Sequence, residues 1–332
     1  MAVYLCLVNQ SEDVMKIVEF MKKYPDEASC KAAWKRHRDR IGVVCPVCGG
    51  IVHYWKRDKE CYECKGCHHR QSLRANTVMH GSQLPFRYWF IAMFLLSGTK
   101  KSFSAAELQR QVGHKNYAPI WALLHKLRLS MGQCESSYQL DGIIELDEGY
   151  FSTETPDDQK NMPLKRGRGS QRKTKVLVMA ETELPTEEEA AKAKKCGRNK
   201  PTKVGRIKMM VVEDLKSGTI ESAATKNISP ESAIITDDST SYTNFHKLFR
   251  SHHAQVILKE QIGTVLPWVH IAISNAKRMI LDVFHDVTAE YLQSYLNEFC
   301  FKFNRRYEGG ALFYSMLTAA IKHKNQFRYN IA

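Results

Sequence analysis

Apolar positions recur along this chain with two different periods. Over residues 12 to 40 the spacing is helical: Val14, Ile17, Val18 and Met21 share one face, and after Tyr24-Pro25 the pattern resumes from Ala28 to His37. Gln71 to Asn76 reads as a strand. Pro85 opens an aromatic-rich run, Phe86 to Leu96, expected as a core helix. Ser102-Phe-Ser-Ala-Ala-Glu-Leu is a helix start with a serine cap, Gly113-His-Lys-Asn is a break, and Ile120, Leu123, Leu124, Leu127 and Leu129 line a second helix bearing His125, Lys126 and Arg128. Helix, short break and basic helix is a helix-turn-helix pattern, with DNA contact as its functional reading.

From residue 141 the period shortens to that of strands. Gly142 to Phe151, Lys175 to Ala180 and Arg206 to Val212 predict three strands, with Gly218 to Ile220 as a short return. Ser232-Ala-Ile-Ile-Thr predicts a buried strand ending in Asp237-Asp238. A helix with Tyr242, Phe245 and Leu248 follows, then helices over 270–285 and 288–304. Strands followed by covering helices make an α/β layer pattern. No repeat recurs at a fixed period.

Cysteine spacing adds a metal. Of ten cysteines, five fall between residues 45 and 67, as Cys45-Pro-Val-Cys48 and Cys61-Tyr-Glu-Cys64-Lys-Gly-Cys67. Two such knuckles about fifteen residues apart have zinc-ribbon spacing, each turning two thiolates toward one point. Cys45 and Cys48 are paired with Cys64 and Cys67, and Cys61 stands as the alternative to Cys67. Zn²⁺ would fold a segment too small for a core of its own. The other five cysteines have no partner spacing and read as packed apolar residues.

Charge then narrows the partner. The 332 residues carry 49 Lys+Arg against 35 Asp+Glu, a net +14, which points to a polyanion. Residues 161 to 210 alone hold 14 basic and 5 acidic residues. Lys165, Arg166, Arg168, Arg172, Lys173 and Lys175 in that stretch read as a phosphate-tracking arm. Apolar residues at 43% and charged residues at 25% exclude wholesale disorder. The longest apolar run, Tyr88 to Leu96, falls short of the roughly 20 residues a membrane-spanning helix needs. The N-terminus lacks a basic segment and a small-residue cleavage site, so a cytoplasmic protein is expected, with no membrane partner and no small-molecule substrate.

Two carboxylates suggest the chemistry. Asp147 lies within the first strand and Asp237 at the end of the fourth. A sheet that sets those strands side by side would converge both on one ion, and hard oxygen ligands suit Mg²⁺ or Mn²⁺. Such ions activate a water or a 3′-hydroxyl and stabilise the leaving oxygen in phosphodiester cleavage.

From residue 15 to 308 the chain resembles zinc-ribbon insertion-sequence transposases of the ISXO type, a branch of the DDE superfamily. The matching pieces occur in order. They are the two Cys-x-x-Cys knuckles, Pro85-Phe-Arg-Tyr-Trp-Phe, Glu145-Leu-Asp147-Glu148, Lys165-Arg-Gly-Arg-Gly with Lys173-Thr-Lys-Val, Thr236-Asp237, His270, and Tyr291-Leu-Gln-Ser-Tyr-Leu-Asn-Glu-Phe with Phe303-Asn-Arg-Arg306. The resemblance implies an RNase H-like core whose first two metal ligands are Asp147 and Asp237. The family commonly carries Glu five residues after the His. Asn275 stands there in this chain, as in some branches, and brings an amide oxygen without charge. Glu148, Asp238 or DNA phosphates would then supply the missing charge. The family's basic residue about two helical turns on is represented closer by, at Lys277 or Arg278, either of which would hold the target phosphate.

The expected architecture is therefore α/β. An N-terminal helical segment (1–40), a zinc ribbon (41–78) and a helix-turn-helix-like module (79–136) precede an RNase H-like catalytic domain (137–310). That domain carries a basic insertion (157–205) and is followed by a C-terminal tail (311–332). The function this implies is binding of terminal inverted repeats, metal-dependent cleavage of one DNA strand at each end, and transfer of the freed 3′-hydroxyl to target DNA. The setting would be a homo-oligomer acting near the nucleoid of a prokaryotic cell. The rivals are a decayed or domesticated DNA-binding protein and another RNase H-like nuclease, such as a junction resolvase.

Overall fold

The computed structural model describes residues 15–155, 160–163, 170, 172–184, 186–187, 203–255, 265–284 and 287–327. The chain divides into two units, Met1–Cys134 with Arg305–Ala332, and Glu135–Asn304.

The first unit begins with helices α1 (Ile17–Lys23) and α2 (Glu27–Ile41). Asp26 starts α2 by accepting the Ser29 N–H at 2.7 Å, and Gly42 ends it at φ +95°, a backbone that side chains disfavour. Strands β1 (His53–Lys56), β2 (Cys61–Cys64) and β3 (Arg70–Ser72) then form an antiparallel sheet in that order. So small a sheet has little core, and polar bonds fasten it to α2. Arg38 donates to the Leu73 carbonyl at 2.6 Å, the Tyr62 hydroxyl to Asp39 at 2.7 Å, and the Trp34 indole to the Leu73 carbonyl at 3.1 Å.

Three further helices follow: α3 (Phe86–Gly98), α4 (Ala105–Val112) and α5 (Tyr117–Glu135). Pro85 offers no side-chain cap to α3, so the Glu27 carboxylate accepts the Phe86 and Arg87 N–H groups at 2.8 and 2.9 Å. Ser104 caps α4, and Gly113 closes it at φ +67°. Of the basic residues expected on α5, Lys126 is half-buried and the other two turn inward. His125 and Arg128 are 0% and 1% exposed, with His125 stacked on Phe327 and Arg128 donating to Ser102 at 3.4 Å. Apolar residues lie on every side of this helix, which makes it a core element. Residues 311–332, expected as a tail, contain a buried helix, α10 (Ala311–Lys322), which packs on α2 and α3. Its Leu312, Phe313, Met316, Leu317, Ala320 and Ile321 already have helical spacing.

The second unit is built on a five-stranded mixed sheet in the order β6-β5-β4-β7-β8. Strands β4 (Ile143–Ser152), β5 (Lys173–Glu183) and β6 (Lys203–Val212) are antiparallel. Strands β7 (Ala233–Asp237) and β8 (Ser251–Gln255) continue the sheet in parallel from β4. Side chains alternate between two cores. Phe151, Val176, Val178, Ile207 and Met209 face α8 (Pro267–Phe284) and α9 (Ala289–Asn304). Ile144, Leu146, Leu177, Met179 and Ile234 face α6 (Ser217–Asn227) and α7 (Phe245–Leu248).

Gly218 to Ile220, expected as a strand, lies in α6, because Ile220, Ala223, Ala224 and Asn227 repeat at helical intervals and are all buried. The polar strand Ser251-His-His-Ala-Gln255 escaped the sequence pattern because a sheet edge needs little apolar surface.

Asn304 closes this unit. Its amide oxygen accepts the Ile207 N–H at 2.8 Å, and its nitrogen donates to the Ile207 carbonyl at 2.9 Å and the Glu135 carboxylate at 2.6 Å. Asn304→Ala is expected to lower stability by about 2 kcal/mol, because partners of the amide are left unpaired. Hydrogen exchange at the Ile207 amide is the check, and unchanged protection contradicts the assigned role.

Candidate active site and metal centres

Strands β4 and β7 pair in parallel through Ile143↔Ala233, Ile144↔Ile234 and Glu145↔Ile235. Two residues past the last pair, on the same face by strand alternation, come Asp147 and Asp237. Oxygens of Asp147, Glu148 and Asp237 all lie within 4.8 Å of one another, and each residue is half-buried. The convergence expected of Asp147 and Asp237 is thus present, with Glu148 joining them. Asp238 is exposed and stands outside that cluster. Three carboxylates are a hard donor set, fit for Mg²⁺ or Mn²⁺.

Glu148 is also held from the other side of the strand. The buried Tyr242 hydroxyl donates to it at 2.6 Å. Burial, reinforced by the Glu148 charge, pushes the Tyr242 phenol far up, so it stays a donor. Nothing in the sequence marks this tyrosine beyond its place in an apolar pattern.

Helix α8 brings an imidazole near Asp147, outside the group of three carboxylates. His270 Nδ1 lies 3.7 Å from Asp147 Oδ2. Burial lowers the His270 pKa, and the Glu145 charge partly offsets it. The helix itself is pinned by Glu145, two residues before Asp147 on the same strand. Its buried carboxylate accepts the Trp268 and Val269 N–H groups at 2.8 and 3.1 Å and the Thr182 hydroxyl at 3.0 Å. Burial raises the Glu145 pKa against the pull of those donors. The helix comes close enough that a Cβ at Gly149 would meet Ile273 Cγ1 at 3.3 Å.

Asn275 does not share the position of His270. Five residues on, it lies about 140° further round the helix. It is exposed and makes no hydrogen bond among the described residues. The step of five residues along a helix, natural in sequence, turns the side chain away from the one facing Asp147. Lys277, about two turns past His270, returns to the same side. Its ammonium lies 5.6 Å from the Phe151 ring centre. Burial, then repulsion from Lys173, lowers its pKa. Arg278 is exposed.

Of the expected arm, Arg172 and Lys173 are exposed at the start of β5, and Lys175 donates to the Glu213 carbonyl at 3.3 Å. Lys175 lines a pocket of about 390 Å³ with Glu148, Tyr150 and Ser239 to Ser241. Lys165, Arg166 and Arg168 lie outside the described residues.

In the first unit, sulfurs of Cys45, Cys48, Cys64 and Cys67 gather within 4.8 Å of one another. Cys67, not Cys61, completes the set. Cys61 is buried on β2 with its neighbour Tyr62 against α2. The Cys48 N–H lowers the Cys45 thiol to about 6, and the Cys67 N–H lowers Cys64. A Cβ on Gly50 would stand 3.2 and 3.3 Å from the sulfurs of Cys64 and Cys48, a tight approach that glycine avoids. Four thiolates so placed fit tetrahedral zinc.

The family model of the ISXO2-like transposase domain matches residues 139–304, half of the 332 residues. A search among curated proteins finds no match.

Two outcomes test these centres. Cys67→Ala is expected to lose zinc and Cys61→Ala to retain it, as measured by metal content of the purified protein. Glu145→Ala is expected to cost about 2 kcal/mol by orphaning two N–H groups, whereas Glu145→Gln keeps an acceptor for them. Because the folded pKa is raised, the protonation of Glu145 favours folding below the unfolded value near 4.5, and that contribution fades as pH rises through the folded value. The stability difference between wild type and Glu145→Gln should therefore shift in favour of the variant over that window, as followed by urea titrations.

Proposed function

The chain belongs to the family of ISXO2-like transposase domains, and from that premise we propose that it cuts and joins DNA strands at the Asp147–Glu148–Asp237 cluster. The observation carrying the reading is the meeting of three carboxylates at the end of a parallel strand pair. The strand order, three antiparallel strands and two parallel ones with helices on both faces, supports an RNase H-like core.

Asp147 and Asp237, with Glu148, would hold the divalent cation. When bound, that ion supplies Lewis-acid stabilisation and an activated water or 3′-hydroxyl. The protein's own residues do the rest. Glu145 and Tyr242 keep the carboxylates and α8 in register, so that the donor set is formed before DNA arrives. Lys277 and Lys173 carry like charges close enough to disfavour one another, and a DNA phosphate between them relieves that repulsion. Arg172, Lys175 and Arg278 extend the positive surface along the strand, together with Lys165, Arg166 and Arg168 of the arm.

The zinc-binding first unit would recognise the element's terminal inverted repeats, and a homo-oligomer would bring two ends together. The four-cysteine cluster and the net +14 support a DNA partner. No helix among the described residues is long and apolar enough to cross a membrane. Action on DNA would put the protein in the cytoplasm, near the nucleoid.

The test is a strand-cleavage and strand-transfer assay on DNA carrying the element's ends, with Mg²⁺ or Mn²⁺. Asp147→Asn and Asp237→Asn should each reduce both steps by about 10³-fold or more while DNA binding persists. Hydrolysis without joining would favour a nuclease. A wild-type protein that binds but never cuts would favour a domesticated binding protein.

A further inference from the structure

We infer that the cleft beside Glu148 receives one unstacked nucleotide of the DNA strand being cut, next to the phosphate held at the carboxylates. The inference rests on the reading of the carboxylate cluster as the place of cleavage. It adds a binding site for a base and names the chemistry of its occupant.

Placement comes first. The cleft has a volume of about 390 Å³, in the range of sites for small organic molecules, and shares Glu148 with the carboxylate cluster. Glu148 and Tyr150 lie on one face of β4 by strand alternation, and Lys175 is the cross-strand partner of Tyr150. A DNA strand whose phosphate sits on the cluster therefore passes within one side chain of the cleft. The neighbouring base enters only by leaving the stack, because a base inside a duplex is covered on both faces.

Construction comes second. One wall of the cleft is the segment Ser239 to Ser241, whose first N–H donates to Asp237 Oδ1 at 3.3 Å. Ser241 Oγ donates to the Leu215 carbonyl at 2.9 Å and accepts from Ser239 Oγ at 3.3 Å. The next residue of that turn, Tyr242, donates to Glu148 at 2.6 Å. Two of the acidic residues that meet at the cluster thus also fix the wall of the cleft, which is what a preformed subsite requires.

The lining names the occupant. Tyr150 offers an aromatic ring and Leu215 an aliphatic side chain, surfaces on which a base packs. Serine and threonine hydroxyls both donate and accept hydrogen bonds, as the edges of bases do. Lys175 carries three donors and gives one to the Glu213 carbonyl at 3.3 Å, so its charge serves the phosphate that links the base to the cut. A small anion would leave Tyr150 and Leu215 unused, and an apolar ligand would strand the lysine and the hydroxyls. A nucleotide uses both.

The experiment uses the full-length, zinc-loaded protein and duplexes carrying the element's end, with 2-aminopurine placed in turn at each position beside the cut. Ca²⁺ replaces Mg²⁺, so that the carboxylates are occupied while the strand stays whole. Fluorescence at one of these positions should rise about threefold or more when the wild type binds, as the base leaves the stack. It should stay at the duplex level in Thr240→Trp, whose indole fills the cleft from its exposed rim. With Mg²⁺, Thr240→Trp should cut the normal duplex about tenfold or more slowly, and removing the base at that position should restore cutting. Such rescue also shows that the variant is folded, and the wild-type fluorescence answers the question if it is not. A rise that persists in Thr240→Trp overturns the inference. Asp147-dependent cutting with no rise at any position overturns it too, and leaves the carboxylate site standing. Cutting indifferent to Asp147→Asn overturns both.

Discussion

Three rungs of parallel pairing, between strands far apart in the chain, decide where the carboxylates of this protein meet. Ile143, Ile144 and Glu145 align with Ala233, Ile234 and Ile235, and the two aspartates follow on the same face. A slip of one residue would put one of them on the opposite face of the sheet. The register is protected by burial. Ile144 and Ile234 lie in one core, while Glu145 is locked on the other face by three hydrogen bonds. The cluster is thus a consequence of packing that would exist without any metal.

The same strand governs the covering helix. Leu266 and Pro85, the residues just ahead of α8 and α3, carry no side-chain acceptor, so the first N–H groups of these helices need one from elsewhere. Glu145 serves α8 in the second unit, as Glu27 serves α3 in the first. In both, a carboxylate meets the positive end of a helix dipole, which lowers the cost of holding charge away from water. The burial that raises the Glu145 pKa shows that this compensation is incomplete. The resulting tether does more than stabilise: it sets the height of α8 above the sheet and hence the position of His270 and Lys277. The Cβ-free Gly149 lets the helix settle close to the strand.

Charge is distributed to match a polyanionic substrate. Negative groups converge at the strand ends, while the cations Lys173 and Lys277 stand along the same sheet and its covering helix. Burial, then repulsion from Lys173, lowers the pKa of Lys277, so the two ammonium groups stand near enough to interact. The first unit puts its cations to different use. Arg38 and Arg128 are buried and spent on internal hydrogen bonds, so the positive residues of α2 and α5 cannot be read as a DNA surface merely from their abundance.

The parts of this protein that were legible in its sequence are those carried by local rules. Thiol spacing announced the four-cysteine cluster, strand alternation located β4 through β7, and the pairing of Asp147 with Asp237 followed once two strands were taken as neighbours. The matters left to tertiary structure depend on direction, which a linear spacing does not contain. Cys67 rather than Cys61 turns inward because β2 commits Cys61 to the sheet. His125 and Arg128 face inward because apolar residues surround α5 on all sides. His270, not Asn275, faces Asp147, because Glu145 fixes the rotation of α8 and five residues along a helix is not a whole number of turns.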